Sequence, residues 1–158
     1  MVRRIVFAAF TVGAAAVATG CATSGLLIDA EVVRTNTHTV LAFEETVFNK
    51  HRVRDGFDRY VGAQFRQHSA MLPDDRDAAI TALSHLLTSE YPASRKVVER
   101  TVAQGDLVAV QVFWDQKPGQ TRGVAMVDIY RLVDGKIVEH WDVAQNLPEK
   151  TANDNTMF

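Results

Sequence analysis

Apolar and polar residues alternate through Gly123 to Pro148, GVAMVDIYRLVDGKIVEHWDVAQNLP, on both sides of Val133-Asp134-Gly135. A period of two with Asp-Gly between the runs predicts a β-hairpin. The turn decides which side chains share a face. A three-residue loop with Gly135 left-handed pairs Leu132 with Lys136, Asp128 with His140 and Met126 with Asp142. Asp128, His140 and Asp142 then point to one side. A two-residue Asp134-Gly135 loop pairs Asp128 with Trp141 and turns His140 and Asp142 the other way. The three-residue loop is favoured, because lysine after Gly135 suits it and because it gathers the ionisable groups.

Upstream the period changes. Val40, Phe43, Val47 and Phe48 stand at helix spacing within Thr37 to Lys50, and Thr35, Asn36 or Thr37 can cap its start. A second short helix is predicted over Val53 to Val61, ended by Gly62. Gln64 to Met71 reads as a short strand or lip, with Phe65, Gln67 and Ser69 on one side and Arg66, His68 and Ala70 on the other. Pro73-Asp74-Asp75 supplies a turn and an N-cap for a helix over Asp77 to Ser89. Strands follow at Arg95 to Val102 and at Leu107 to Gln116, the second nearly all apolar and hence central. Asn146 to Phe158 is a polar tail. The order α-α-β-α-β-β-β-β predicts an α+β fold, a curved antiparallel sheet wrapped around N-terminal helices.

The 158 residues, 47% hydrophobic and 23% charged, suit one globular domain. A net charge of -2 without a Lys/Arg cluster argues against nucleic acid as a partner. The N-terminus changes the picture more. Arg3 and Arg4 precede an apolar, alanine-rich run from Ile5 to Ala18, and Ala18-Thr19-Gly20-Cys21 follows. This is the layout of a signal segment over residues 1–20. It resembles a bacterial lipoprotein signal, which implies lipidation of Cys21, the only cysteine, and a place in the cell envelope facing the periplasm or exterior. Ala18 stands where that signal more often has leucine. Residues 21–36 read as a tether, and residues 37–158 as the domain.

FRQHS after two short helices, VVER followed by QGDLVAVQV, VDIYRLVDGKIVEHWDVAQ and the closing PEKTANDNTMF resemble the SnoaL-like proteins of the nuclear-transport-factor-2-like superfamily. The resemblance spans Val40 to Phe158 and is nearest to bacterial proteins described as SnoaL-like aldol-condensation enzymes. It implies a cone-shaped α+β barrel with a pocket between sheet and helices, often in a homodimer. It also implies ring closure or aldol chemistry without metal or cofactor. By motif it points to Asp142 and His140 on the last strand and to His68 in Gln67-His68. Where the family usually continues with Asn-Pro, this chain has Ser69-Ala70.

Aldol chemistry needs a base beside a carbonyl, a group to stabilise the enolate oxygen, and an acid. Asp142 with His140 can supply base and proton shuttle, with His68 reaching in from the far wall. Asp128 joins the catalytic set on the pairing argument. Tyr60 and Tyr130 are candidate oxyanion donors, and Trp114 is a candidate ligand contact. His68, His140 and Asp142 do not stand at the spacing of a known metal motif. The expected partner is a small apolar or carbonyl-containing molecule. The competing expectation is a membrane-tethered module that binds a ligand or partner without chemistry.

Overall fold

The computed structural model describes residues 20–158, with side chains from residue 30. The signal segment up to residue 19 and the Cys21 side chain lie outside what is described. Helix α1 (Gly20–Glu44) ends in a π-helical turn, Glu45–Asn49. Helix α2 (Val53–Tyr60) runs straight into strand β1 (Val61–Gln67). Helix α3 (Arg76–His85), with a second π-helical turn at Leu86–Glu90, leads to β2 (Arg95–Gln104), β3 (Leu107–Asp115), β4 (Val124–Val133) and β5 (Lys136–Asn146). The helix and strand order is the one expected.

The stretch expected as a tether is helical and continuous with α1. Residues 22–36 contain no proline but also no single apolar stripe, and exposed Val32 shows why the pattern looks aperiodic. At the end of this stretch Asn36 is buried and donates to Gly105 O at 3.2 Å. Further on, Val40, Phe43, Val47 and Phe48 are buried as their spacing requires. Asp75 caps α3 by accepting from Ala78 N at 2.8 Å.

The sheet runs β1-β5-β4-β3-β2. The last four strands in sequence are antiparallel neighbours, whereas β1 joins β5 in parallel. The sheet is curved and left open between β1 and β2, so the expected barrel does not close. Val108, Val110 and Val112 of β3, Val124, Met126, Tyr130 and Leu132 of β4, and Ile137 of β5 form its buried inner face. Helix α1 packs on that face: Phe43 meets Tyr130 edge-on at 5.8 Å.

The hairpin differs from the favoured reading in its turn and agrees with it in outcome. Val133 pairs with Lys136, so the loop is the two-residue Asp134-Gly135. Both carry positive φ, 50° and 71°, the geometry whose twist matches the flanking strands. That loop alone would send His140 and Asp142 outward. A bulge intervenes: Leu132 pairs with Ile137, but Arg131 pairs with Glu139, leaving Val138 as an extra residue on β5. The extra residue reverses the alternation. Tyr130 faces His140, Asp128 faces Asp142, and the ionisable groups return to the inner face.

Gly123 opens β4 at φ +85°, where a β-carbon would stand 2.9 Å from Trp114 O and against the Phe113 ring. Gly123→Ala therefore combines backbone strain with a clash. It is expected to destabilise the fold by about 3 kcal/mol. A thermal unfolding midpoint equal to wild type would show that β4 does not need this entry angle.

Candidate functional site

Three elements deliver polar side chains to the inner face, each from a position where an apolar residue would fit the pattern. Helix α1 carries Glu44 between Phe43 and Val47; β2 contributes Lys96; β4 contributes Asp128 and Tyr130. All four are at most 4% exposed. Lys96 Nζ lies 2.8 Å from Asp128 Oδ2, 3.3 Å from Glu44 Oε2 and 3.7 Å above the Phe48 ring. The Tyr130 hydroxyl donates to Glu44 Oε1. Glu44 Oε2 has no well-directed donor despite its nearness to Lys96. Asn49 fixes the origin of Lys96 by pairing with its backbone: Lys96 N donates to Asn49 Oδ1 at 2.9 Å, and Asn49 Nδ2 donates to Lys96 O at 3.0 Å.

From β5, His140 reaches the same cluster. Its Nε2 lies 3.1 Å from Asp128 Oδ1 and its Nδ1 2.8 Å from Gln67 Oε1. The β1–β5 pairing sets Gln67 opposite His140. Ser69 N donates to the same Gln67 oxygen at 2.9 Å, and Asp74 Oδ1 accepts from Gln67 N at 2.7 Å. The Tyr130 ring stacks on His140 at 4.8 Å. Asp142 follows on β5, half-buried, and one donor atom each from Asp128, His140 and Asp142 lie within 4.8 Å of one another. Ala144 and Asn146, next on the same face, are exposed. Asp142 thus stands where the buried network meets solvent.

Burial and charge pull the network's titrating groups in opposite directions. Burial raises Asp128, but Lys96 and His140 outweigh it and hold the carboxyl at about 2, below its ordinary 3.8. Burial pushes Glu44 above its ordinary 4.5 against the pull of Lys96. Lys96 is raised above its ordinary 10.5 because Asp128 and Glu44 overcome its desolvation. Burial, with Glu44 and Asp128 nearby, carries the Tyr130 phenol well above 10.

The structure brings together Asp128, His140, Asp142 and Tyr130 of the expected site residues. It does not bring His68. That side chain points to the outer face, stacks flat on Trp141 at 4.7 Å and lies 3.5 Å from Glu139. The alternation in FRQHS is the reason, since Gln67 turns inward and its neighbour must turn out. Tyr60 is half-buried against the core at the end of α2. Trp114 is buried edge-on to Tyr91 at 5.5 Å, with its indole Nε1 unpartnered. The Tyr130 hydroxyl is engaged with Glu44 and is not free to meet an oxyanion.

The expected pocket also takes a different form. A cleft of about 300 Å³ lies on the outer sheet face between Gln111, Val127, Val143 and the tail residue Met157. Another of about 260 Å³ lies between α1 and the β4–β5 turn, near Val32, Asn36 and Asp106. Neither is lined by Asp128, His140 or Asp142. The inner face is filled by Glu44, Lys96 and their partners, leaving Asp142 as its accessible edge.

Asp128, His140 and Asp142 are donors that can meet around a cation. Here the Lys96 ammonium lies 2.8 Å from Asp128 Oδ2, which leaves Asp128 Oδ1, turned to His140, as its one ligand atom and sets a fixed positive charge beside any metal. Glu44, Lys96 and Gln67 escaped the sequence reading as site residues. Their one signal was a polar side chain on the inward side of a helix stripe or strand.

A family comparison matches residues 38–152 to SnoaL-like polyketide cyclase. A search of curated proteins gives no match. Among solved structures, AclR from Streptomyces galilaeus, a hydroxylase candidate, superposes with a TM-score of 0.60 at 20% identity, over 72% of this chain and 90% of that one. A SnoaL-like polyketide cyclase candidate from a Jannaschia species gives 0.58 at 22% identity, over 72% and 87%. TsrD from Streptomyces laurentii gives 0.58 at 16%, over 70% and 89%. At these identities the likeness is one of fold.

The depressed Asp128 carboxyl contributes stability that is present above its unfolded value and lost as pH falls from about 4 toward 2. The contribution is about 2 kcal/mol. Glu44 has the opposite sign: raised on folding, it contributes below 4.5 and loses that contribution as pH rises through its folded value. Urea unfolding of Glu44→Gln across this range isolates the Asp128 part. Adding Asp128→Asn should remove about 2 kcal/mol of pH dependence between pH 4 and 2. Parallel curves for the two proteins would contradict the pairing with Lys96.

Proposed function

The chain belongs to the SnoaL-like polyketide cyclase family, and from that premise we propose a cofactor-free acid–base enzyme acting on a small carbonyl compound, of aldol-condensation, cyclase or isomerase type. One observation carries the proposal: Asp142, the half-buried member of the inner-face cluster, stands within 4.8 Å of Asp128 and His140 at the uncovered end of that face. A carboxylate there can take a proton from carbon next to a carbonyl. The ring of His140 is bonded to Gln67 and Asp128, and its Nε2 can pass a proton to the oxygen that becomes negative once that oxygen displaces Asp128 Oδ1. The carbonyl compound would approach over Ala144 and Asn146.

The competing reading is a binding or dimeric domain without chemistry. Its support is the filled inner face together with Val97, Val102 and Val143, which are 50–69% exposed on the outer face and suit a homodimer contact. Proton exchange separates the two. Incubation with small 1,3-dicarbonyl compounds in deuterated water, followed by proton NMR, should show enzyme-dependent loss of the α-proton signal. Asp142→Asn should slow it about 10²–10⁴-fold with an unchanged circular dichroism spectrum. Equal exchange in the variant would remove Asp142 from the mechanism, and no exchange with wild type would favour the binding domain.

We further propose that Cys21 carries lipid and tethers the domain at the cell envelope, on the layout of residues 1–21. Cys21→Ser should move the protein from the membrane to the soluble fraction. Continued membrane association would indicate an uncleaved anchor instead.

A further inference from the structure

Both ring nitrogens of His140 face acceptors. Nδ1 lies 2.8 Å from Gln67 Oε1, and Nε2 lies 3.1 Å from Asp128 Oδ1. The Gln67 amide is not free to turn its nitrogen to the ring. Ser69 N–H points at the same oxygen at 2.9 Å, and a backbone N–H can only donate. Nδ1 therefore carries a proton. Asp128 has none to give Nε2, because its other oxygen accepts from Lys96 at 2.8 Å and its carboxyl is held ionised. A neutral imidazole has a single N–H and can satisfy only one of these two contacts.

Charge gives the same answer independently. Burial favours the neutral acid at Glu44, but the Tyr130 hydroxyl donating to its Oε1 and the Lys96 ammonium 3.3 Å from its Oε2 hold it a carboxylate beside Asp128, against the one cation Lys96. Buried charges persist where they are matched. The second cation that matches them is His140. The other groups facing the ring agree: the Tyr130 face stacks on it at 4.8 Å, and Asp142 adds a further carboxylate nearby. Asp128 and Asp142 sit directly across β4 and β5 from each other, a like-charged pair that needs a cation between them.

We infer that Glu44, Asp128, Lys96 and His140 form one buried, charge-neutral unit in which His140 carries protons on both nitrogens. In the reaction proposed above, on which this last step rests, His140 is then the proton donor and Asp142 the base. Asp142 takes the proton from carbon, the electron pair moves to the carbonyl oxygen, and that oxygen replaces Asp128 Oδ1 as the acceptor at His140 Nε2 and takes its proton. The number of protons in the site is unchanged. Lys96 and Glu44 touch no substrate; they are positioning residues that hold Asp128 ionised and aimed at His140.

The test is ¹⁵N NMR of the full chain labelled at histidine, at neutral pH, with His140 assigned by the loss of its signals in His140→Gln. Two protonated-type nitrogens are expected, and one unprotonated-type nitrogen would overturn the inference. In Asp128→Asn, Glu44 and Lys96 balance each other alone, so His140 should lose its Nε2 proton and show an unprotonated-type nitrogen. An unchanged spectrum would overturn the inference. Lys96→Met leaves two carboxylates against one cation and should lower the unfolding midpoint. Adding Glu44→Gln should recover most of that loss, whereas additive losses would show that the groups do not act as a unit. These spectra are read without substrate, so a protein that fails the exchange assay but shows them loses the catalytic roles and keeps the unit.

Discussion

The interior depends on the contact between Lys96 and Asp128, 2.8 Å long and 1–2% exposed at both side chains. Two charges at that depth are unfavourable singly and tolerable only as partners. Once Lys96 is inside, it requires Asp128, and its remaining charge draws Glu44 from α1. Asp128 then directs its second oxygen at His140, and Glu44 anchors Tyr130. A single buried pair thereby ties helix α1 to three strands and sets the orientation of every polar group behind Asp142.

That arrangement rests on a backbone irregularity. Without the extra residue Val138, the two-residue turn would leave His140 and Asp142 on the solvent side of the sheet. The bulge turns them inward and sets His140 opposite Tyr130. The parallel edge strand β1 completes the frame, because its register puts Gln67 beside His140 and leaves His68 outside on Trp141. Bulges next to functional residues re-aim side chains in this way. Membership of the SnoaL-like family fits a scaffold whose open sheet edge and inner face can be refitted for different small molecules.

Much of this was legible in the residues. Periodicity set the element order, and the alternation in VDIYRLVDGKIVEHWD put Asp128, His140 and Asp142 on one face. The pairing was read two residues out of register and through the wrong turn, and the error cancelled. The shorter turn moves each partner on by one residue and the bulge moves it on by one more, so a shift of two keeps the face while the partners change. His68 was chosen over Gln67 because histidine titrates and glutamine does not, although strand alternation allows only one of them inside. Glu44 and Lys96 were invisible for a related reason. Pattern reading assigns charged residues to the surface, and nothing local reveals that two of them neutralise each other across the core. The helix that starts at residue 20 leaves no apolar stripe in the sequence to read it by, and residues 30–32, where its side chains are first described, are exposed.

The central claim is that Asp142 and His140, and not the outer-face cleft, form the place where a small carbonyl compound meets the protein. Backbone and side-chain NMR during titration with a 1,3-dicarbonyl compound tests it most directly. Shift changes concentrated on Asp142, His140 and Gln67 are expected. Changes concentrated on Gln111, Val127, Val143 and Met157 would place the ligand on the outer face and contradict it.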